Sequence, residues 1–339
     1  MTILITGSSG HLGEALVRLL REEFGKDEVR GLDILESPFT DVVGSIVDPA
    51  TCKEAMKGVA AVLHTASLHK PHVETHTRQD FIDVNITGTL NLLEAAVESG
   101  TVKSFIFTST TSSFGDSLKP LPGEGAVWID EMVRPKPKNI YGITKLAAEE
   151  LCQLFHRLHG LPCLVLKGSR FFPEDDDTKE VRDFCSAENS KVNELLYRRA
   201  DIYDMATAHR IAIDKAPEIG FDKFIITSTS PFQQSDRPRL QVDAIKVVQS
   251  YYPNMERIYA KAGFKFFETV DRVYRNDHAR KVLGWEPKYS FAKALECLEQ
   301  GKPIGSDLSR QVGKKYYHRG KITDPAGVKD GEPYPCSIS

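Results

Sequence analysis

No apolar run in the 339 residues approaches the roughly 18 that a membrane-spanning helix requires, which excludes a helical membrane protein. The six cysteines (52, 152, 163, 185, 297 and 336) show neither a CxxC pair nor zinc-ligand spacing, and read as scattered reduced thiols. There is no excess of either charge: 44 Lys and Arg nearly balance 47 Asp and Glu, for a formal charge of -3. A nucleic-acid or anionic-membrane partner would need a clustered basic surplus, so neither is expected. The N-terminus runs from Met1 straight into Thr2-Ile3-Leu4-Ile5, without the basic stretch and cleavage site of a secretory signal. A cytoplasmic protein is the expectation.

What remains is ordinary globular composition, 41% hydrophobic and 27% charged. The length suggests about two domains, or one long doubly wound unit with additions. Short apolar runs alternate with helical periodicity from the start. Residues 2–5, 29–32, 42–47, 59–64, 105–107 and 163–166 read as strands. Residues 11–24, 50–57, 79–98 and 141–159 carry apolar positions at helical spacing. This predicts an α/β fold, a doubly wound parallel sheet of Rossmann type, with a small interleaved C-terminal substrate-binding subdomain. Residues 1–170 form the dinucleotide-binding domain, with later strands returning around 200–230. Residues 171–300 form the interleaved substrate-binding part, and 301–339 a Gly-, Pro- and basic-rich surface tail. Beyond residue 170 a helix from Asp201, a strand at 224–227 and helices near 239–251 and 277–283 are expected.

The run Thr6-Gly7-Ser8-Ser9-Gly10-His11-Leu12-Gly13 lies between the first strand and the first helix. Gly7 permits a sharp turn, Gly10 admits a pyrophosphate close to backbone, and Gly13 lets helix and strand pack closely. The helix start at His11 and Leu12 offers N–H groups to phosphate oxygens. Asp33 ends the second strand twenty residues after Gly13, where a carboxylate would take the adenosine ribose hydroxyls. That carboxylate would repel a 2′-phosphate, and Ile34 beside it supplies no cation, so NAD is expected rather than NADP.

Tyr141 and Lys145 are four apart on a predicted helix and share a face. An ammonium beside a phenol pulls its high pKa toward the working range of an acid–base catalyst. By itself the pair favours an incidental surface contact. Context changes this. The glycine loop, Asp33, His64-Thr65-Ala66, Asn85, the run Thr108-Ser109-Thr110-Thr111-Ser112-Ser113-Phe114-Gly115 and Tyr141-Gly-Ile-Thr-Lys145-Leu-Ala-Ala-Glu149 occur in order. Together they resemble the extended short-chain dehydrogenase/reductase family, the NAD-dependent epimerase/dehydratase group. Leu283-Gly284-Trp285-Glu286-Pro287 resembles that group's C-terminal segment.

The resemblance implies Tyr141 as acid–base, Lys145 as the group that lowers its pKa and holds the nicotinamide ribose, and Thr110 as the hydroxyl fixing the reacting oxygen. Ser109 and Thr111 compete for the last role. Ser45, Ile46, Thr65, Ala66 and Asn85 would complete the cofactor site, and Ser67, His69, Thr111 and Arg170 would face substrate. It also implies a homodimer through the stretches 79–98 and 141–159.

Three departures bear on the substrate. Ser45 stands where the family usually carries an Asp for the adenine amino group, and Asp48-Pro49 reads as a helix cap. Thr111-Ser112 replaces the Asp-Glu pair of the sugar-nucleotide dehydratases, which argues against dehydration. Lys167-Gly168-Ser169-Arg170 replaces an Arg-then-Asn pattern, and only about thirty residues separate Phe171 from Asp201, so the nucleotide-diphosphate pocket looks trimmed. The expected function is therefore hydride transfer between NAD and a secondary alcohol or ketone of a small, sugar-like molecule. A nucleotide-sugar epimerase with tightly bound NAD is the alternative, and a non-catalytic dinucleotide sensor a third class.

Three further clusters have bland readings. His69, His72 and His76 fall in a Pro-broken loop and read as pocket-lining or surface groups rather than metal ligands. The acidic run 174–183 reads as a solvated loop. The basic tail (Arg310, Lys314, Lys315, Arg319, Lys321) reads as a solvated or subunit-contacting arm.

Overall fold

The computed structural model describes residues 2–176 and 178–315. Seven parallel strands form the central sheet: β1 (Thr2–Thr6), β2 (Val29–Asp33), β3 (Val42–Val43), β4 (Val59–His64), β5 (Ser104–Thr110), β7 (Cys163–Gly168) and β8 (Phe221–Ile226). Their order is β3-β2-β1-β4-β5-β7-β8. A separate two-stranded ribbon pairs β6 (Val127–Ile129) with β9 (Arg272–Tyr274). Strands buried on both faces need apolar centres, which is why β1, β4, β5 and β7 carry short hydrophobic runs, with polar residues gathered at their ends.

Helices cover both faces. α1 (His11–Phe24) lies on one face with Leu12, Leu16 and Leu20 against Ile3, Ile5 and Leu63. α2 (Pro49–Ala55), α3 (Arg78–Ile82), α4 (Gly88–Ser99) and α5 (Ile140–His159) belong to the other, where Leu92, Leu93, Ala148 and Cys152 pack on Leu4, Val62, Phe105 and Val165. α6 (Lys179–Phe184) and α7 (Ala187–Glu194) follow β7, and α8 (Ile202–Ile219) returns to the face of α1. A further core gathers Leu196, Phe232, Val247, Tyr259 and Phe291, and takes in Ala126 from between β5 and α5. The substrate-side elements are thus threaded through the chain.

Several boundaries differ from expectation for local reasons. The stretch 79–98 is one helical path with a widened turn at Asp83–Thr87. There Asn85 turns its amide away to bond Leu68 and Thr144. The expected strand 42–47 pairs only over Val42–Val43, because Asn91 captures the carbonyls of Ile46 (3.0 Å) and Val47 (2.9 Å) and draws the chain off the sheet edge. Residues 239–251 form two helices, Arg237–Leu240 and Ala244–Tyr251, the second capped by Asp243. Asp48 caps α2 through the N–H groups of Ala50 (3.0 Å) and Thr51 (3.1 Å), with Pro49 at the first helical position.

The acidic run is not simply solvated. Glu174 and Asp176 are buried and ion-paired, while Asp175, Glu180 and Asp183 are exposed. Of the basic tail, Lys315 reaches Glu14 (2.6 Å) and Lys314 reaches Asp175 (3.0 Å), so these two are tethers. Arg319 and Lys321 lie outside the described residues, as does most of 301–339. No helix among the described residues is long and apolar enough to cross a membrane.

Candidate active site

The strand order reverses between β1 and β4, and their C-terminal ends part there to open a cleft of about 190 Å³. The glycine loop forms its floor. Gly7 has φ +70°, and a Cβ there would stand 2.7 Å from the Ala66 backbone. A Cβ on Gly13 would stand 1.9 Å from the Gly7 carbonyl oxygen, so α1 closes on the loop only because that position is bare. Gly10 caps α1, whose first N–H groups belong to His11 and Leu12 in the cleft wall.

Asp33 lies at the end of β2. Its Oδ2 accepts from the Ser9 N–H (2.9 Å) and its Oδ1 from the Leu35 N–H (3.0 Å), leaving acceptor capacity on both oxygens. Burial pushes its carboxyl up, and these backbone donors oppose the shift. Among the described residues that line the cleft, Lys145 is the only lysine or arginine. A bare glycine cradle, a helix N-terminus and a buried carboxylate at this spacing fit a dinucleotide: Gly7, Gly10, His11, Leu12 and Gly13 would hold the pyrophosphate and Asp33 the ribose.

Behind the loop a polar chain fixes the two strands. Thr6 Oγ1 meets His64 Nδ1 (2.8 Å), and His64 Nε2 meets Thr89 Oγ1 (2.9 Å). Full burial holds the His64 imidazole well below its ordinary value, and therefore neutral. Thr65 and Ala66 lie in the cleft wall, whereas His64 props it from behind.

At the other end Tyr141, at the start of α5, hydrogen-bonds Thr110, at the end of β5. Burial pushes the phenol up to about 12, with the Thr110 hydroxyl opposing. Lys145 stands one turn along α5, with its ammonium 4.0 Å from the centre of the Phe107 ring. Burial pulls it down to about 7, opposed by Glu149. Burial is the largest influence on both groups.

The three hydroxyls face different partners. Ser109 Oγ donates to the buried carboxylate of Glu149 (2.5 Å), and Thr111 Oγ1 donates to the Gly168 carbonyl (3.3 Å). Only Thr110 is bonded to Tyr141. Of the expected site residues, Gly7, Gly10, His11, Leu12, Gly13, Asp33, Ser45, Ile46, Thr65, Ala66, Ser67, His69, Thr110, Tyr141 and Lys145 all line this one cleft.

Three do not. Thr111 faces Gly168. Arg170 is drawn away by Asp176 (2.8 Å). Asn85 accepts from the Leu68 N–H (2.9 Å) and Ser67 Oγ (3.2 Å), and donates to the Leu68 carbonyl (2.9 Å) and Thr144 Oγ1 (3.0 Å). Its amide has no donor to spare, so it positions the cleft wall instead of touching a ligand.

The structure adds Ser169 and Phe172, which sequence reasoning missed, and puts His72, read there as a pocket-lining or surface group, in the cleft wall. Ser169 lines the cleft beside Thr110, and its buried Oγ has no hydrogen-bond partner among the described residues. Its signal was topological: Gly168, just before it, pairs with Thr110 across β5 and β7. Phe172 stacks on His69 (centroids 5.3 Å, 14° between planes) and meets His11 edge-on (5.2 Å). His72 accepts the His69 N–H through Nδ1 (2.9 Å) and lines the cleft too.

Comparison with known proteins agrees with this geometry. The chain is 25% identical to a 3 beta-hydroxysteroid dehydrogenase/Delta 5-->4-isomerase of Mycobacterium tuberculosis, over 87% of this chain and 89% of that protein. It is 26% identical to a UDP-glucose 4-epimerase of Rhizobium meliloti, over 70% and 75%. In fold it is similar to a short-chain dehydrogenase/reductase superfamily protein from Agrobacterium tumefaciens solved with bound NAD, with a TM-score of 0.61 at 23% identity, covering 92% of this chain and 98% of that one. The sequence profile of the NAD dependent epimerase/dehydratase family matches residues 3–220. With the profile spanning more than half its length and the sheet order to match, the chain belongs to the NAD dependent epimerase/dehydratase family.

Proposed function

We propose that the protein is an NAD-dependent oxidoreductase acting on a secondary alcohol or ketone of a small, sugar-like substrate. The observation that carries this is the convergence of Thr110, Tyr141 and Lys145 at one end of a cleft whose other end holds the glycine cradle and Asp33. NAD supplies the hydride acceptor or donor when bound. Thr110 Oγ1 and Tyr141 Oη together hold the substrate oxygen. In oxidation Tyr141 takes the hydroxyl proton, and in reduction it returns that proton to the carbonyl oxygen. Lys145, while protonated, stabilises the phenolate and reaches the nicotinamide ribose.

A small substrate is favoured over a nucleotide-linked one by the state of the nearby cations. Arg170, Arg198 and Arg199 are committed to Asp176, Glu194 and the Phe172 carbonyl, and no arginine among the described residues lines the cleft for a diphosphate. The two relatives, one named a dehydrogenase and the other an epimerase, bracket the chemistry. The epimerase reading draws support from the epimerase among the relatives, since that reaction recycles hydride on a retained cofactor. The reading also carries a homodimer, for which Ile143 and Leu158 present exposed apolar side chains on α5.

Thermal-shift screening of NAD, NADP and a panel of free and nucleotide-linked sugars tests the reading. NAD should stabilise more than NADP, and Asp33→Asn should weaken NAD roughly tenfold. Stoichiometric NADH release with a free substrate would establish net oxidation. Turnover without NADH release, with NAD surviving purification, would shift the assignment to epimerisation.

A further inference from the structure

A second cavity, of about 210 Å³, lies behind the segment Phe171–Pro173 and away from the catalytic groups. Its walls come from α7, the start of α8, the helix Phe291–Gln300 and residues 304–309. Val192, Leu195, Ile202, Ala294 and Ile304 give it an apolar body; Lys191 and Arg199 line it, as do the exposed Glu188 and Lys293, the latter paired with Glu296 (2.9 Å). Phe171 lines both this cavity and the cofactor cleft, so it is the partition between them.

The charge around this wall does not balance. Glu194 Oε1 takes Arg198 (2.8 Å) and Arg170 (3.5 Å), and its Oε2 takes Arg199 (3.2 Å). Asp176 takes Arg170 (2.8 Å). With Lys191, four cations therefore share two buried carboxylates. Lys191 donates to the Pro173 carbonyl but has no carboxylate within 4.0 Å among the described residues. The next acids along the chain are already engaged: Glu174 by His11 (2.9 Å) and the Lys315 N–H (2.8 Å), Asp175 by Lys314 (3.0 Å).

Asp201, also on the cavity wall, spends its carboxylate on the Tyr203 N–H (2.8 Å) and on both the N–H (3.0 Å) and Oγ (2.5 Å) of Ser306. Burial pulls the Lys191 ammonium down to about 8, the direction expected of a cation that lacks a counter-charge. One bond to a carbonyl leaves two of its three donors unused.

We propose that this cavity is a second small-molecule site, for an anion with an apolar body such as a medium-chain or aryl carboxylate, whose charge is held by Lys191. The apolar walls take the hydrocarbon part, and the anion supplies the counter-charge that the protein withholds. A neutral molecule of the same shape gains only the apolar burial, so charge is the selecting feature. The proposal is independent of which alcohol the catalytic cleft oxidises.

Calorimetric titration of the full chain, loaded with NAD so that the cleft is filled, uses hexanoate and phenylacetate as probes and hexanamide and phenylacetamide as neutral counterparts. The carboxylates should bind at least roughly tenfold more tightly than the amides, the ratio expected for charge-assisted hydrogen bonds. Lys191→Met should erase that preference, and Lys191→Arg should keep most of it. Ala294→Phe, which fills the apolar part, should abolish binding of all four while NAD affinity stays as before. Each variant is first checked for a cooperative melt. Equal affinity for acids and amides, absence of any heat at millimolar probe, or carboxylate binding that survives both Lys191→Met and Ala294→Phe would each overturn the assignment.

Discussion

Around the cleft, buried charges are few and solitary; between residues 170 and 201 they are many and paired. Asp33 and Lys145 are each less than a tenth exposed and neither has an ion-pair partner within 4.0 Å among the described residues. Asp33 is held only by backbone N–H groups, and Lys145 rests on an aromatic face. Arg170, Arg198 and Arg199, by contrast, are tied to Glu194 and Asp176. A buried charge without a partner costs several kcal/mol, so a fold tolerates one chiefly where a ligand will complete it. A paired charge breaks even and holds segments in place. The two regions differ in what their charges are for, and substitution distinguishes them.

The largest effect is expected at the cleft. Tyr141→Phe removes one hydroxyl that moves the proton and should lower turnover of any identified substrate by roughly a thousandfold. The melting temperature should stay close to that of the parent, because the ring remains packed with Leu68 and Phe81. Steady-state kinetics beside a melting curve checks both halves. Comparable turnover, or a large loss of stability, would break the division between solitary and paired charge.

Glu174 gives the opposite signature. It bonds His11 at 2.9 Å and accepts the Lys315 N–H at 2.8 Å, tying the segment after β7 and the C-terminal residues to the start of α1. Burial would raise its carboxyl, but the His11 contact and the backbone N–H groups of Lys315 and Glu174 together hold it at about 2, below its ordinary 4.5; burial also lowers the His11 imidazole, which near neutral pH acts as a hydrogen-bond partner more than as a cation. A depressed carboxylate contributes stability that is fully present above pH 4.5 and lost as the pH falls toward 2. Glu174→Gln should therefore cost about 2 kcal/mol near neutral pH, a cost that shrinks through that acid window. Denaturant unfolding at a series of pH values measures it. A deficit that is the same at pH 3 and pH 7 would mean that packing, and not the ionised carboxylate with its donors, is responsible.

The contrast also explains what could be read from the chain itself. Glycines with forced conformations, a carboxylate at a fixed distance and strands buried on both faces are governed by local backbone geometry, so Gly7, Gly13, Asp33 and the sheet were legible. So was Thr110, through its distance from Gly115. Arg170 and Thr111 were misplaced because their partners, Asp176 and Gly168, depend on how separate segments pack. The acidic run looked solvated for the same reason. Nothing near Glu174 in sequence announces His11, which lies 163 positions earlier. Asn85 was placed in the right wall, but its exhausted hydrogen bonds are a property of three dimensions only.

The smallest effect tests the boundary between the two regions, at Glu149. This carboxylate lies one turn beyond Lys145 on α5, fully buried, and accepts from Ser109 Oγ and Lys167 Nζ, each at 2.5 Å, with Lys223 at 3.3 Å from its other oxygen. It belongs to the paired set by its contacts and to the solitary set by its influence, because it raises the Lys145 ammonium against burial. Around Lys145 the other groups are Tyr141 and Cys152 on α5, His64 on β4 and Lys167 on β7, and of these Lys167 opposes the protonated form.

If ketone reduction requires Lys145 protonated, activity should fall as pH rises through about 7. Glu149→Gln keeps an acceptor for Ser109 and Lys167 but removes the negative charge, at a cost in stability because Lys167 is left buried without its counter-charge, so activity is read below the melting transition. The descending limb should then move to lower pH by up to about one unit, while turnover on the acid side changes little. Burial of Lys145 is the larger force and the substitution leaves it intact, so the shift stays modest. A limb that does not move would place Glu149 wholly among the structural pairs, with Lys145 set by burial alone.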